Sequence, residues 1–424
     1  MERNPVVDIL LFLAGFLSIG LQFHNARFGG GFETFAVARN LAEHGEFANP
    51  FDAVTGPSAH LAPLFPLFLA ILIKLFRTPQ GFATAISLFT MAAHGLHAAL
   101  LPRISDLFFH DRRPGMWAAI IVTILPVIYF FPHSEGIFCA AGLMLFCLVT
   151  DRRLSRGGAG GAMFTGLFAG LLTLLNPTCL LVCGLWLAYL LWRHRIAFAV
   201  RSTILIAVAF VVTLTPWTWR NYEEFNAFFF VRDNLGLELC MANNDVAQPG
   251  VVRNMPAGLR LYHPASAPAE AELVRQMGEV EYNRMRMRVA LHWIRTHPAH
   301  FAVLTLTRFC FFWFPDAEGI TPVHGWGIAF LTISAFTGLA LMLRRRRRIA
   351  VFLAAVLAIY PALFYLVEVD PRYRTPILWI PLVSAGYLLL SALYAVQRKP
   401  LLTGVGMQPV SSSPNLLFQR RTPR

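Results

Sequence analysis

The 424-residue chain has few charged residues, almost no lysine and few cysteines. Charged residues make up 14% of the chain and hydrophobic residues 56%, and the mean hydropathy is +0.55. About a quarter of the residues in a soluble domain are charged, so this composition excludes a soluble globular protein and predicts a polytopic membrane protein. Lys74 and Lys399 are the only lysines, and arginine therefore supplies almost all of the net charge of +13.

The excess of arginine does not indicate nucleic-acid binding, and we expect no nucleic-acid partner. The arginines cluster in short loops between apolar segments, as the positive-inside rule expects of cytoplasmic loops. We therefore place these loops and the basic C-terminal tail on the cytoplasmic side. The clusters are Arg103, Arg112 and Arg113; Arg152, Arg153 and Arg156; Arg193, Arg195 and Arg201; and Arg344 to Arg348.

The cysteine pattern excludes a disulfide framework and a zinc cluster. Most of the six cysteines fall inside apolar segments, where cysteine behaves as a small hydrophobic residue. Cys179 and Cys183 share a helix face, but no histidine follows at zinc-site spacing. The chain also has no internal repeat.

Apolar segments of helical length recur along the chain and predict an all-α fold. The first begins near Val6, has no small-residue cleavage site and is long enough to span, so we interpret it as a retained helix. The segments are 6–23, 62–76, 81–101, 115–131, 136–149, 161–175, 177–192, 202–218, 299–314, 323–343, 349–366 and 376–397.

The basic loops limit which segments cross the membrane. Only one of 62–76 and 81–101 can cross if Arg103 is cytoplasmic, and 62–76 is short and carries Lys74. The same reasoning assigns the later crossing to 323–343 and leaves 299–314 at the interface. We predict about ten transmembrane helices, additional juxtamembrane helices and two cytoplasmic termini.

This topology places the outer loops 24–61, 132–135, 219–298 and 367–375 on one membrane face. Glu33, Glu135, Arg220 and Arg372 lie in or beside these loops and should meet there. Ionised side chains near hydrocarbon are costly, so their convergence predicts a functional site. The alternatives are structural: Glu33 as a helix N-terminal acid, Glu135 as a helix cap, and the arginines as interfacial anchors.

Two outer loops contain helical patterns. Residues 33–44 have apolar side chains at helical spacing, with Gly45 as the stop signal and Glu33 at the end that favours a negative charge. Residues 268–296 place acids early and arginines late, in accord with the helix dipole. We predict one membrane domain over 1–397 and a disordered, basic cytoplasmic tail over 398–424, which is rich in proline and serine.

Four motifs in order resemble those of the GT-C glycosyltransferases, in the branch that contains protein O-mannosyltransferases and the lipid A aminoarabinose transferase. The first outer loop of that family resembles Glu33-Thr-Phe-Ala-Val-Ala-Arg followed by His60-Leu-Ala-Pro. Its second outer loop resembles Phe131-Pro-His-Ser-Glu-Gly. The later motifs are Thr215-Pro-Trp-Thr-Trp-Arg-Asn-Tyr and Asp370-Pro-Arg-Tyr-Arg-Thr-Pro, and the likeness covers roughly residues 5–397.

The resemblance implies a GT-C-like helical bundle in the bacterial inner membrane with its active site facing outside. It implies transfer of a sugar from a polyprenyl phosphate, with inversion, to a glycan, lipid or protein acceptor. Glu33 would be the general base, and Glu135 would help to hold the acceptor or a metal. Many relatives have two adjacent acids in the first loop, whereas Phe32 stands beside Glu33 here.

The chemistry of the residues themselves agrees with the sugar transfer that the resemblance implies. Arginine binds phosphate through parallel hydrogen bonds, and Arg372 and Arg374, with Tyr373 between them and Arg220 as a second choice, are the donor-phosphate candidates. A carboxylate at Glu33 can take a proton from an attacking acceptor. The sequence indicates no definite cofactor and leaves a divalent metal open, with His60 and His133 as the candidate ligands.

Two other functions fit a polytopic membrane protein. A transporter or flippase of phosphate-bearing lipids usually has charged residues near mid-membrane, between related halves. The charges here lie at helix ends, which favours the transferase. A non-catalytic assembly protein that kept the fold differs from an enzyme only in activity.

Overall fold

Nearly every described segment of the computed structural model is a helix. The structure describes residues 5–23, 33–125, 134–194, 200–316 and 321–396, and these ranges contain no β-strand, which confirms the all-α prediction. The first half of the chain forms α1 (Pro5–Phe23), α2 (Glu33–His44), α3 (Leu64–Phe76), α4 (Pro79–Phe109), α5 (Arg113–Ile124), α6 (Gly136–Arg156), α7 (Ala159–Leu175), α8 (Cys179–His194) and α9 (Val200–Phe225).

The second half begins with short helices and returns to long apolar ones. A π-helical turn, Met255–Leu259, separates α11 from α12, and a 3-10 helix, Pro371–Ile377, precedes the last helix. The helices are α10 (Leu235–Ala242), α11 (Val251–Asn254), α12 (Arg260–Tyr262), α13 (Pro268–Met277), α14 (Glu279–Thr296), α15 (Pro298–Trp313), α16 (Pro322–Arg344), α17 (Ile349–Ile359), α18 (Ala362–Leu366) and α19 (Trp379–Val396).

The apolar helices make the chain an integral membrane protein. In the described ranges, five helical stretches are long and apolar enough to cross a bilayer: α4, α9, α16, α17 with α18, and α19. Shorter apolar helices accompany them, and α6, with 21 residues, is about 30 Å long, close to the thickness of the hydrocarbon layer. The count of ten crossings and the orientation of the chain stay predictions.

Local chemistry explains where the observed helices depart from the predicted segments. Segment 349–366 is interrupted at Tyr360 because Pro361 has no backbone N–H and crowds the preceding turn. Segment 268–296 is two helices, separated by Gly278 with a φ of +80°. Gly45, also at +80°, follows α2 as predicted, and its amide donates to the Leu41 carbonyl at 3.1 Å.

Close helix contacts through glycine hold the membrane bundle together. A Cβ on Gly95 of α4 would lie 2.7 Å from the Phe12 carbonyl of α1. On α19, a Cβ on Gly386 would lie 2.0 Å from the Pro114 carbonyl of α5. Small residues let helix backbones approach closely where the hydrophobic effect supplies little association energy.

A layer of short helices lies against the segment that we predicted to be the first outer loop. Phe51 from that loop joins Leu237 of α10, Val274 of α13 and Tyr282 of α14 in one apolar cluster. The Asp233 amide donates to the Ala59 carbonyl at 2.9 Å, next to this cluster. The two outer loops are therefore a single packed unit, and they position each other's polar residues.

The Gly236→Ala variant should destabilise this layer. The new Cβ would lie 1.9 Å from the Asn283 carbonyl oxygen where α10 meets α14. Overpacking of this kind costs about 1–3 kcal/mol, so the thermal unfolding temperature in detergent should fall. Gly184→Ala is the matched control, because nothing lies within 4 Å of its added Cβ. Equal effects of the two variants would contradict the close packing of α10 on α14.

Candidate active site

A cavity of about 160 Å³ lies where the first outer loop, the amino-terminal end of α6 and the segment after α18 meet. Five residues predicted from sequence line it together, although they come from distant parts of the chain: Glu33, His60, Glu135, Arg372 and Tyr373. Further polar side chains complete the lining: Thr34, Ser134, Asn176, Thr178, Arg232, Asn234, Glu238 and Tyr360.

Glu33 is the first residue of α2 and contacts two imidazoles. Its Oε1 lies 2.9 Å from Nε2 of His263 and 3.6 Å from Nε2 of His60. Phe51 packs edge-on against both rings, with centroid distances of 5.1 Å to His60 and 5.5 Å to His263. Burial raises the pKa of Glu33, but the two histidines outweigh burial and hold the pKa well below its ordinary value of 4.5. The carboxylate is therefore ionised at neutral pH.

His60 is buried among several acids. Burial alone would lower its pKa, but Glu33, followed by Glu279 and Glu238, raises the pKa above the ordinary value of 6.5. Glu279 is itself buried and accepts from the Ala59 amide at 2.6 Å. Nδ1 of His60 is buried with no hydrogen-bond partner among the described residues. His60 is thus a cation of the cavity wall at mildly acidic pH.

The charge on His60 predicts a pH-dependent contribution to stability. Because its folded-state pKa is raised, its ion pair with Glu33 stabilises the fold fully below pH 6.5, and the stabilisation is lost as pH rises through the folded pKa. The Glu33 pKa is depressed, so that carboxylate stays charged across this window.

We therefore expect His60→Gln to lower the thermal unfolding temperature more at pH 6 than at pH 9. The packing of the ring on Phe51 is lost equally at both values. The exposed His44 on α2 provides the control variant, His44→Gln. A destabilisation by His60→Gln that does not change with pH would contradict the ion pair.

Glu135 precedes the first residue of α6 but does not cap the helix with its side chain. Its Oε1 accepts from Nδ2 of Asn176 at 2.8 Å. The amide and hydroxyl of Thr178 donate to Oδ1 of Asn176 at 3.0 and 2.7 Å, which orients that side chain. The side chain therefore bonds the α7–α8 turn instead of its own helix, and its catalytic role stays a prediction.

The 3-10 helix presents Arg372 and Tyr373 to the cavity. Oδ1 of Asp370 accepts from the Arg372 amide at 2.8 Å, and its Oδ2 lies 3.8 Å from Nε of Arg372. Burial lowers the pKa of Arg372, but Tyr373 and Asp370 raise it by more, so the guanidinium stays charged. The Tyr373 ring stacks on Phe364 with a centroid distance of 4.5 Å.

Arg374 and Arg220 lie outside the cavity lining. Arg374 is buried, and its Nη2 donates to Oγ1 of Thr332 on α16 at 2.9 Å. Arg220, near the end of α9, donates to the Ser58 and Phe47 carbonyls at 2.8 and 2.9 Å. In this structure both guanidiniums hold chain segments together, and their predicted contact with the donor phosphate is untested.

A metal site has no ready ligand set in the described ranges. Across these residues, no group of three or more histidine, cysteine, aspartate or glutamate side chains is arranged to hold an ion. His60 contacts Glu33 instead, and His133, the second candidate ligand, lies outside the described residues.

Sequence reasoning missed four residues that line the cavity, Arg232, Glu238, Asn176 and Tyr360. It also missed His263, which contacts Glu33 without lining the cavity. His263 follows α12, and its contact with Glu33 spans 230 positions of sequence. Arg232 is exposed at the cavity and forms no ion pair or hydrogen bond with the part of the chain that the structure describes. The sequence signal for Arg232 was weak but present, because it is a lone cation two positions after the aromatic run Phe228–Phe230.

Comparison with solved structures identifies the fold. The apo oligosaccharyltransferase of Archaeoglobus fulgidus matches with a TM-score of 0.54 and 14% sequence identity, covering 91% of this chain and 50% of that one. ArnT from Cupriavidus metallidurans bound to undecaprenyl phosphate matches with a TM-score of 0.36 and 12% identity, covering 92% of this chain and 79% of that one. No family model and no curated protein matches the sequence.

The chain has a fold similar to that of the archaeal oligosaccharyltransferase, in accord with the GT-C-like helical bundle that its motifs predicted. At 14% identity the likeness concerns the fold. The chain spans about half the length of the oligosaccharyltransferase.

Proposed function

We propose that the protein is a membrane glycosyltransferase that moves a sugar from a polyprenyl-phosphate donor to an acceptor on the extracytoplasmic side of the inner membrane. One observation carries the proposal. Two carboxylates, Glu33 and Glu135, and two cations, Arg372 and Arg232, line a single cavity in a fold similar to that of an oligosaccharyltransferase.

The cations fit a donor phosphate. The Arg372 guanidinium lies 3.8 Å from the Asp370 carboxylate and keeps its charge. Arg232 is exposed and follows the exposed aromatic residues Phe228 and Phe230 in the sequence. A polyprenyl chain stays in the bilayer, so its phosphate can enter a cavity only at the headgroup level. Guanidiniums at that level offset the negative charge that grows on the leaving phosphate.

The carboxylates fit the acceptor. In the proposed reaction, an acceptor hydroxyl or amine attacks the anomeric carbon, and its proton passes to Glu33. The bond between that carbon and the phosphate oxygen breaks, and polyprenyl phosphate leaves with the bonding electrons. His263, whose Nε2 lies 2.9 Å from Glu33, holds the carboxylate in position, and the proton then leaves Glu33 for solvent. Attack from the face opposite the phosphate inverts the anomeric carbon.

Glu135 holds the acceptor in this proposal. Asn176 fixes one of its carboxylate oxygens at 2.8 Å, and a carboxylate held in this way is a rigid hydrogen-bond acceptor. The amino-terminal end of α6 lies directly behind it. The proposal treats residues 1–397 as one catalytic domain, with 398–424 as a tail on the opposite side of the membrane.

The position of the cavity favours a transferase over a transporter. Glu135 and the cavity are at one end of α6, and Arg152 is near the other end. The helix is about 30 Å long, so the cavity belongs to one face of the bundle. A transporter would need its polar site near the middle of the membrane.

Glycan analysis tests the proposal. Cell-envelope glycans from a strain that lacks the protein should lose one sugar substituent, detected by mass spectrometry, and the wild-type gene should restore it. The Glu135→Gln variant, at equal expression, should restore less than about 10% of the substituent, since misplacing a bound reactant can lower the rate about 10²-fold. Unchanged glycans in the deletion strain would overturn the proposed function.

A further inference from the structure

Three arginines line a second concavity at the opposite end of α6. The concavity has a volume of about 400 Å³ and lies between the last turn of α6 and the first turn of α7. We call it the arginine notch; it is lined by Val149, Arg152, Arg153, Arg156, Gly157 and Gly161.

The guanidiniums of the arginine notch have no counter-ion in the described ranges. Arg152, Arg153 and Arg156 are exposed, and none of them forms an ion pair with a described residue. Two of the aspartates nearby, Asp8 and Asp151, are already engaged, whereas Asp106 lines a neighbouring cavity that Arg152 shares. Asp8 pairs with Arg103 at 3.0 Å and with Arg112, and Asp151 pairs with Arg193 at 3.6 Å. A concentration of unpaired positive charge of this kind attracts an anion.

Two glycines, Gly157 and Gly161, line the notch and add no side chain to it. Gly157 has a φ of +70°, and nothing lies within 4 Å of a Cβ built on it. A Cβ on Gly161 would lie 3.0 Å from the Arg153 carbonyl oxygen, so the two helices are in close contact there. Arg152 also lines an adjoining cavity of about 230 Å³, which Arg103 and Arg112 line too.

An apolar stripe continues from the notch along α7. Met163, Leu167 and Leu171 are each separated by four positions, so they lie on one face of the helix, and each is more than 40% exposed. A free phosphate would use the arginines and leave this stripe unused. A lipid would use both, with its headgroup on the arginines and an acyl chain along the stripe.

We propose that the arginine notch binds the headgroup phosphate of an anionic phospholipid, with an acyl chain against Met163, Leu167 and Leu171. The positive-inside pattern puts this site in the cytoplasmic leaflet. Basic pockets between transmembrane helices on that side suit anionic headgroups. The site is separate from the candidate active site and does not depend on the proposed function.

Lipid titrations of the purified full-length protein in detergent test this site by native mass spectrometry. Phosphatidylglycerol should bind the wild type at least fivefold more tightly than phosphatidylcholine does. An arginine near a membrane surface contributes a factor of about five in affinity for anionic lipid. The double variant Arg152→Gln, Arg156→Gln should therefore bind phosphatidylglycerol roughly 25-fold more weakly.

The control removes the same charge elsewhere in a basic loop. Arg344 and Arg346 are exposed, and their double glutamine variant should keep wild-type affinity within about twofold. Equal losses in the two double variants would overturn the proposal in favour of general surface charge. Equal binding of the two lipids by the wild type would overturn it as well. Thermal stabilisation by inorganic phosphate that matches stabilisation by phosphatidylglycerol at the same concentration would overturn the assignment to a lipid.

Discussion

The Glu33→Gln variant should lose about 10²- to 10⁴-fold in the rate of sugar transfer, which is the contribution of a positioned general base. The amide keeps the size of the side chain and can still contact one imidazole, but it cannot accept the acceptor's proton. The measurement is the initial rate of transfer by purified protein in detergent, with the donor lipid that the glycan analysis identifies.

The control for Glu33 lies on the same helix. Glu43 is exposed near the end of α2, and Glu43→Gln should keep the wild-type rate within about twofold. The unfolding temperatures of both variants need to be measured, because Glu33 also pairs with two histidines. A fully active, folded Glu33→Gln protein would exclude Glu33 as the base.

Removing the positive charge of Arg372 should cause the second large decrease in the rate of sugar transfer. Arg372→Gln should lower the transfer rate by about 100-fold, the typical effect of removing one donor that stabilises developing negative charge. Arg372→Lys keeps the charge but loses the planar pair of donors, so its rate should lie between those of the wild type and the glutamine variant. Donor binding and transfer rate should be measured separately for each variant.

Arg39 provides a matched control for Arg372. It forms only a 4.0 Å contact with Asp52 at the surface, and exposed pairs of this kind contribute about 0–1 kcal/mol. Arg39→Gln should therefore leave donor binding and rate unchanged. If Arg372→Gln and Arg39→Gln behave alike, the donor phosphate does not bind at Arg372.

Much of the fold was predictable because apolar periodicity and stop signals are local. Residues 33–44 form a helix that Gly45 follows, and the predicted apolar segments correspond to observed helices wherever the structure describes them. The convergence of Glu33, Glu135 and Arg372 was predictable from topology, because the loops that carry them were assigned to one membrane face. The breaks at Tyr360 and Gly278 were harder to predict, since both positions lie within patterns that otherwise continue.

The direction of individual side chains was not predictable. Arg372 and Arg374 are two positions apart on a 3-10 helix, where successive residues are about 120° apart around the axis, so the two guanidiniums diverge. Only Arg372 lines the cavity; Arg374 bonds Thr332 instead. His263 was missed for a different reason, because its contact with Glu33 depends on how two outer loops pack, and no local pattern encodes that packing.

The position of Arg220 has a consequence for mutant screens. Its guanidinium bonds carbonyls of the first outer loop and lies near the aromatic rings of Phe47, Trp217 and Phe225. We expect a substitution of Arg220 to release the loop that carries His60. A screen for inactive clones would therefore recover Arg220 variants together with Glu33 variants. We expect the two defects to differ in kind: an Arg220 lesion should lower the number of correctly assembled molecules, whereas a Glu33 lesion acts on the reaction of molecules that are assembled.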